Sequence, residues 1–143
     1  MRFYLDASAL VAIVADEPSS QKVFDAIRTR DQLPLISDFC WAECSAALAK
    51  RFRTGAKAAT EVDLYHADLD QWALEGGEPV RITSDDIDRA AVQVRRPDLV
   101  LRAPDAIHIM AAQRLGATLL TLDKGMARAA IALGVAYINP ADA

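Results

Sequence analysis

Short apolar runs alternate along this chain with stretches in which apolar residues recur every three or four positions. Runs at residues 2–5, 33–37, 80–83, 117–122 and 135–138 have the length and residue types of buried strands. Helical spacing fills the gaps and predicts helices near residues 7–15, 19–30, 39–53, 56–74, 85–95, 104–115 and 124–133. Gly55, the pair Gly76 and Gly77, Gly116 and Gly134 follow these helices, where a left-handed terminating residue is expected. Strands that alternate with helices in this way pair in parallel through crossover connections, so the pattern predicts an α/β sandwich.

Four acidic residues interrupt the pattern. Asp6 lies in "RFYLDASALVAIVAD", at the joint between an apolar strand and an apolar helix, and Asp123 repeats the arrangement in "LLTLDKG". Functional groups of parallel α/β sheets gather at the carboxyl ends of the strands, and both residues fall there. Either could instead be a helix N-cap, and Asp105, just after Pro104, also suits the positive end of a helix. Glu43 is harder to explain away. Its surroundings in "DFCWAECSAALAK" predict burial, and an unpaired buried carboxylate costs several kcal/mol unless a proton or a cation attends it.

One bound cation would serve all four carboxylates. Hard oxygen donors select Mg²⁺ or Mn²⁺ over zinc, and such an ion shares its shell readily with phosphate oxygens. Phosphodiester hydrolysis is the natural reaction of that assembly. Ser8, two residues after Asp6, and Thr121, two residues before Asp123, are placed to hydrogen-bond and orient the acids. His108 follows Asp105 by about one helical turn and sits in "AIHIMAA", where a structural role is the simpler expectation.

Charge narrows the picture. With a net charge of −4 the 143-residue chain does not advertise nucleic-acid binding in bulk, so any such contact must be local. The candidates are Arg28 with Arg30, the cluster "KRFRTGAK" from Lys50 to Lys57, and Arg95, Arg96 and Arg102; of these, Lys50, Arg51 and Arg102 are the expected contacts to nucleic-acid phosphates. Lys50 and its neighbours equally suit the negative end of a helix that stops at Gly55. Cys40 and Cys44, four apart on one helix, read as reduced core residues. His66 reads as a surface residue on a scaffold or partner-facing helix. The length suits one domain covering residues 1–143. No long uncharged apolar run and no secretory pattern is visible, so a cytoplasmic protein without a membrane span is expected.

Taken together, "YLDASALV", "WAECSAAL", "LRAPDAIHIMAA" and "LLTLDKGM" resemble, in order and spacing, the motifs of PIN-domain nucleases, most closely the VapC-like toxins of prokaryotic toxin-antitoxin pairs. The resemblance spans nearly the whole chain. It implies a three-layer α/β/α fold around a mainly parallel sheet of about five strands. It also implies a Mg²⁺- or Mn²⁺-dependent endoribonuclease, often acting on tRNA, held inactive by a cognate antitoxin protein and commonly a homodimer. By position, Asp6, Glu43, Asp105 and Asp123 match the family's catalytic, metal-binding quartet, and Ser8 and Thr121 match its supporting polar positions. Some members carry another acid soon after the fourth, where this chain has Lys124, Gly125 and Met126.

Two other readings compete. An aspartate-based phosphatase or phosphoacceptor domain also uses Asp at a strand end with Mg²⁺, but such phosphatases usually place a second acid where this chain has Ser8. An inactive PIN-like binding module would not require an intact acidic quartet.

Overall fold

The computed structural model describes residues 2–142. Its centre is a sheet of five parallel strands, β1 (Phe3–Leu5), β2 (Leu35–Ser37), β3 (Glu78–Val80), β4 (Thr118–Leu120) and β5 (Tyr137–Ile138), in the order β3-β2-β1-β4-β5. Seven α-helices connect and cover it: α1 (Ala7–Val14), α2 (Ser20–Arg28), α3 (Asp38–Arg53), α4 (Ala59–Gln71), α5 (Ser84–Gln93), α6 (Ala103–Arg114) and α7 (Lys124–Ala132). A π-helical turn, Trp72–Gly76, follows α4.

Strand alternation divides the core into two layers. Phe3, Leu5, Ile36 and Leu120 face one cluster with residues of α1, α3 and α4, including Leu10, Ile13, Cys44, Leu48 and Leu69. Tyr4, Leu35 and Leu119 face the other, with Ile109 and Met110 of α6 and Met126 and Ala130 of α7. Because both faces are covered there, the central strands β1, β2 and β4 are buried along their whole length. Cys40 and Cys44 are free and fully buried, as their spacing suggested.

The chain runs outward from β1 through β2 to β3, then returns to the other side of β1 to form β4 and β5. The reversal opens a crevice between the carboxyl ends of β1 and β4, the usual ligand position in sheets of this kind. Leu5 pairs with Leu120, and the Asp6 amide donates to the Leu120 carbonyl at 3.3 Å, so the residues that follow both strands meet there.

The structure corrects two expectations. The third strand is Glu78–Val80, displaced toward the N-terminus from the predicted 80–83. Pro79 is tolerated because β3 is an edge strand, while the amide of Ile82 is taken by the Asp38 carboxylate at 2.9 Å and that of Thr83 by Asp86 at 2.9 Å. Gly55, Gly116 and Gly134 do have positive φ, but Gly77 is extended at φ −134°. Its lack of a side chain matters for a different reason: a Cβ there would lie 2.4 Å from Cδ1 of Ile36.

Away from the crevice, α5 and α6 are fastened by polar contacts, an exposed one between Arg89 and Gln113 and a more buried one between Asp86 and Arg114. Thr83 and Asp86 form a reciprocal capping box at the start of α5, and Asp86 also receives two hydrogen bonds from Arg114, at 2.8 and 2.9 Å. Burial works against the Asp86 charge, yet Arg114 and Thr83 outweigh it and hold the carboxyl below its ordinary range. Asp86→Ala removes the cap and leaves a partly buried guanidinium without its partner, which should cost about 2 kcal/mol. Urea denaturation measures this, with metal binding by the folded protein expected to be unchanged.

Candidate active site

Asp6 is the N-cap of α1 and is only 2% exposed. Its Oδ1 accepts from the Ala9 amide at 3.0 Å and from Ser8 Oγ at 2.7 Å, and its Oδ2 accepts from Thr121 Oγ1 at 2.5 Å. Ser8 Oγ in turn accepts from the Leu122 amide at 2.9 Å, and Thr121 Oγ1 from the Asp123 amide at 3.0 Å. Each hydroxyl therefore donates to Asp6 while it holds the start of the segment leading to α7. Ser8 and Thr121 thus both hydrogen-bond the Asp6 carboxylate. Burial pushes the Asp6 carboxyl above its ordinary range, against the pull of these hydrogen bonds and of nearby His108.

Asp123 caps α7, with Oδ1 accepting from the amides of Gly125 at 2.8 Å and Met126 at 3.3 Å. The capping explanation for Asp6 and Asp123 is thus structurally true, and it does not exhaust either residue. The other Asp123 oxygen is free of these bonds, and the residue lines an open cleft of about 600 Å³ with Leu99, Val100, Arg102, Asp105 and Arg128. Asp105 lies in the first turn of α6, and Arg102 Nε stands 3.6 Å from its Oδ2. Partial burial pushes the Asp105 carboxyl up; Arg102 and His108 oppose this, and the Asp123 charge adds to it. Asp105 and Asp123 are therefore electrostatic neighbours, facing one cleft from two helix starts.

Glu43 departs from expectation. The surrounding sequence predicted burial, but its side chain is 29% exposed, and Trp41, Ala42 and Ala46 are exposed beside it. Alanine tolerates either environment, so an alanine-rich stretch was a poor guide to burial; Cys40, Cys44 and Leu48 alone mark the buried stripe of α3. Glu43 reaches the site through His108, whose Nε2 hydrogen-bonds its Oε1. The other ring nitrogen, Nδ1, shares a 2.6 Å hydrogen bond with the Tyr4 hydroxyl, which also donates to Ser37 Oγ at 3.0 Å. His108 therefore bridges Glu43 of α3 and Tyr4 of β1. Tyr4 was hidden in the sequence, where it read only as an apolar strand residue.

The three cations expected at a substrate rim separate in space. Arg102 is at the cleft. Arg51 is paired with Glu17, just beyond the far end of α1 from Asp6, and Lys50 is exposed in the last turn of α3. Arg128, which the sequence pattern did not single out, lines the cleft beside Asp123.

The parallel five-stranded fold agrees with the comparison to known proteins. The PIN-domain profile matches residues 3–132. The chain belongs to the PIN-domain family. It is 35% identical over 141 residues to ribonuclease VapC46 of Mycobacterium tuberculosis (strain ATCC 25618 / H37Rv), covering 96% of each chain. The fold of this PIN-domain chain also matches solved structures at low sequence identity. VapBC2 of Rickettsia felis, bound to a DNA fragment from its promoter, aligns with a TM-score of 0.74 at 14% identity, over 97% of this chain and 98% of that one. A toxin-antitoxin complex from Klebsiella pneumoniae aligns with a TM-score of 0.67 at 18% identity, over 98% of each chain. Among the described residues of this VapC-like chain, no helix is long and apolar enough to cross a membrane.

Proposed function

We propose that this protein is a single-domain, Mg²⁺- or Mn²⁺-dependent endoribonuclease toxin, restrained in the cell by a cognate antitoxin protein. The observation that carries this reading is the placement of Asp6 and Asp123 after the adjacent strands β1 and β4, with Asp105 beside Asp123 in one cleft. Similarity to a ribonuclease over 96% of the chain supports RNA as the substrate.

The donor set fits a hard divalent cation. Its acids supply only oxygen ligands, and Arg102 and Arg128 are the positive groups beside them at the cleft. Among the described residues, no three such side chains yet stand together at ligating distance. The acids of the quartet, Asp6, Glu43, Asp105 and Asp123, are the residues that would hold the ion. When bound, such an ion lowers the pKa of an attacking water and neutralises charge building on the phosphoryl group. Ser8 and Thr121 keep Asp6 oriented, and the amides of Gly125 and Met126 keep Asp123 oriented, so neither acid need reorganise as the substrate arrives.

A phosphoacceptor role for Asp6 is disfavoured. The second acid that such phosphatases usually place two residues after the nucleophile is Ser8 in this chain, and its hydroxyl donates to Asp6. Exposed Trp41, Phe52, Leu64 and Leu74 on and after α3 and α4 support a protein partner, either the antitoxin or a second copy in a homodimer.

Arg102 and Arg128 are placed to hold RNA phosphates at the cleft. Replacing either with Ala should weaken RNA binding for all sequences and reduce the slope of log K against log salt by about 1. Arg51→Ala, which removes only a pairing with Glu17, should leave that slope unchanged. Filter binding of a catalytically inactive variant over a range of salt concentrations measures both. An unchanged slope for Arg102→Ala and Arg128→Ala would remove this rim from the substrate path. The functional reading itself is tested by mapping new RNA 5′ ends after brief induction, with Asp6→Asn as the control.

A further inference from the structure

We infer that His108 is a positioning residue for Glu43, held rigid by Tyr4 so that the Glu43 carboxylate stays at the acidic cluster; this rests on the proposed metal-dependent function of that cluster. Glu43 is the most solvent-accessible acid of this constellation for which the structure shows a side-chain anchor, and it stands on a long, rotatable side chain. Its anchor is the reverse. His108 is 1% exposed, bonded through both ring nitrogens and packed edge-on against Tyr4 (centroids 5.5 Å apart) and tilted against Phe39 (5.2 Å).

The bonds form a closed circuit through four elements, α3, β2, β1 and α6. The Cys40 amide of α3 donates to Ser37 Oγ at 2.9 Å, and Tyr4 of β1 donates to the same oxygen. Tyr4 bonds His108 of α6, and His108 bonds Glu43 back on α3. The start of α3 and its acid are thereby fixed to the same strand and the same helix. His108 is also three residues beyond Asp105, on the same face of α6, so the residue that seats Glu43 moves as one body with Asp105. A histidine needed only to fill the core would not require two polar partners arranged in series, one of them a partly exposed carboxylate. A Leu of similar size would pack there without polar atoms to satisfy.

Residues that orient ligating side chains typically contribute ten- to a hundredfold to metal affinity. Calorimetric titration of the full chain with Mn²⁺ should therefore show about tenfold weaker binding for His108→Leu and a severalfold loss for Tyr4→Phe. His108→Gln, whose amide nitrogen reaches as far as Nε2, should recover most of the affinity. In RNA cleavage, His108→Leu should raise the Mn²⁺ concentration needed for half activation, with kcat at saturating Mn²⁺ much less affected. A purely structural histidine would lower the melting temperature in these variants and leave Mn²⁺ affinity alone. A folded His108→Leu protein with wild-type Mn²⁺ affinity overturns the inference, as does His108→Gln binding as weakly as His108→Leu. Should His108→Leu fail to fold, Tyr4→Phe decides, and wild-type affinity there overturns it too. Wild-type protein that binds no Mn²⁺ at millimolar concentration would instead overturn the underlying functional reading, and this inference with it.

Discussion

Asp6→Asn should reduce RNA cleavage by roughly a hundredfold or more while leaving the protein at least as stable as wild type at neutral pH, by analogy with removal of a strong electrostatic stabiliser. Both effects follow from the environment of one side chain. Asn keeps the size of Asp and an acceptor for the Ala9 amide and Ser8 hydroxyl, and it is nearly as good an N-cap. What it deletes is a negative charge that burial disfavours. Without metal, that deletion relieves a cost. With metal, it removes a ligand's charge from the centre where phosphoryl charge must be neutralised. Asp123→Asn should lose activity comparably, with little change in melting temperature, because its cap to Gly125 and Met126 survives. Cleavage rate and melting temperature measured side by side separate the roles. Full activity in both folded variants would leave the two aspartates as helix caps and nothing more.

What the sequence revealed of this site depended on how far each residue's position follows from its own segment. Asp6 and Asp123 were legible because each ends a strand and begins a helix, and parallel topology sends all such joints to one edge. Ser8 and Thr121 were legible for the same reason, being two residues from their acids. The Glu43–His108 pair was not. It depends on how α3 and α6 are rotated on opposite faces of the sheet, and no local pattern encodes that rotation. Tyr4 escaped for a related reason: an aromatic in a buried strand satisfies every local rule, and only the tertiary fold brings a histidine to its hydroxyl. Arg51 shows the converse, since a basic cluster in sequence was divided by an acid, Glu17, thirty-four residues away. The misplaced third strand has a similar cause. Residues 81–83 look more strand-like than 78–80, but side chains of Asp38 and Asp86 had already engaged the amides of Ile82 and Thr83.

Metal dependence of stability should itself depend on pH, in a direction fixed by the two acids of the proposed quartet that burial shifts upward; Asp68 on α4, also shifted upward, acts in the same sense on the metal-free fold. The Asp6 and Asp105 carboxyls titrate above the ordinary range in the folded protein. A raised folded pKa contributes stability that is fully present below the unfolded value of ~3.9 and is lost as pH rises through the folded value. In chelator, these two residues should therefore make the fold less stable as pH increases above ~4. Asp86, shifted downward, acts in the opposite sense and only below that range, so it does not obscure the trend. Mn²⁺ binds the ionised carboxylates, and its benefit should grow over the same interval in which the metal-free protein is losing stability. At a hundredfold excess over Kd the ion contributes ~2.7 kcal/mol, or roughly 6 to 10 °C for a chain of this size. Melting curves in Mn²⁺ and in chelator should thus nearly coincide near pH 4 and separate toward pH 7.5. In Asp6→Asn the separation should shrink at every pH, because one of the two titrating acids and one ligand charge are gone together. A separation that is equal at both pH values, or that survives intact in Asp6→Asn, would mean the ion binds elsewhere on the molecule.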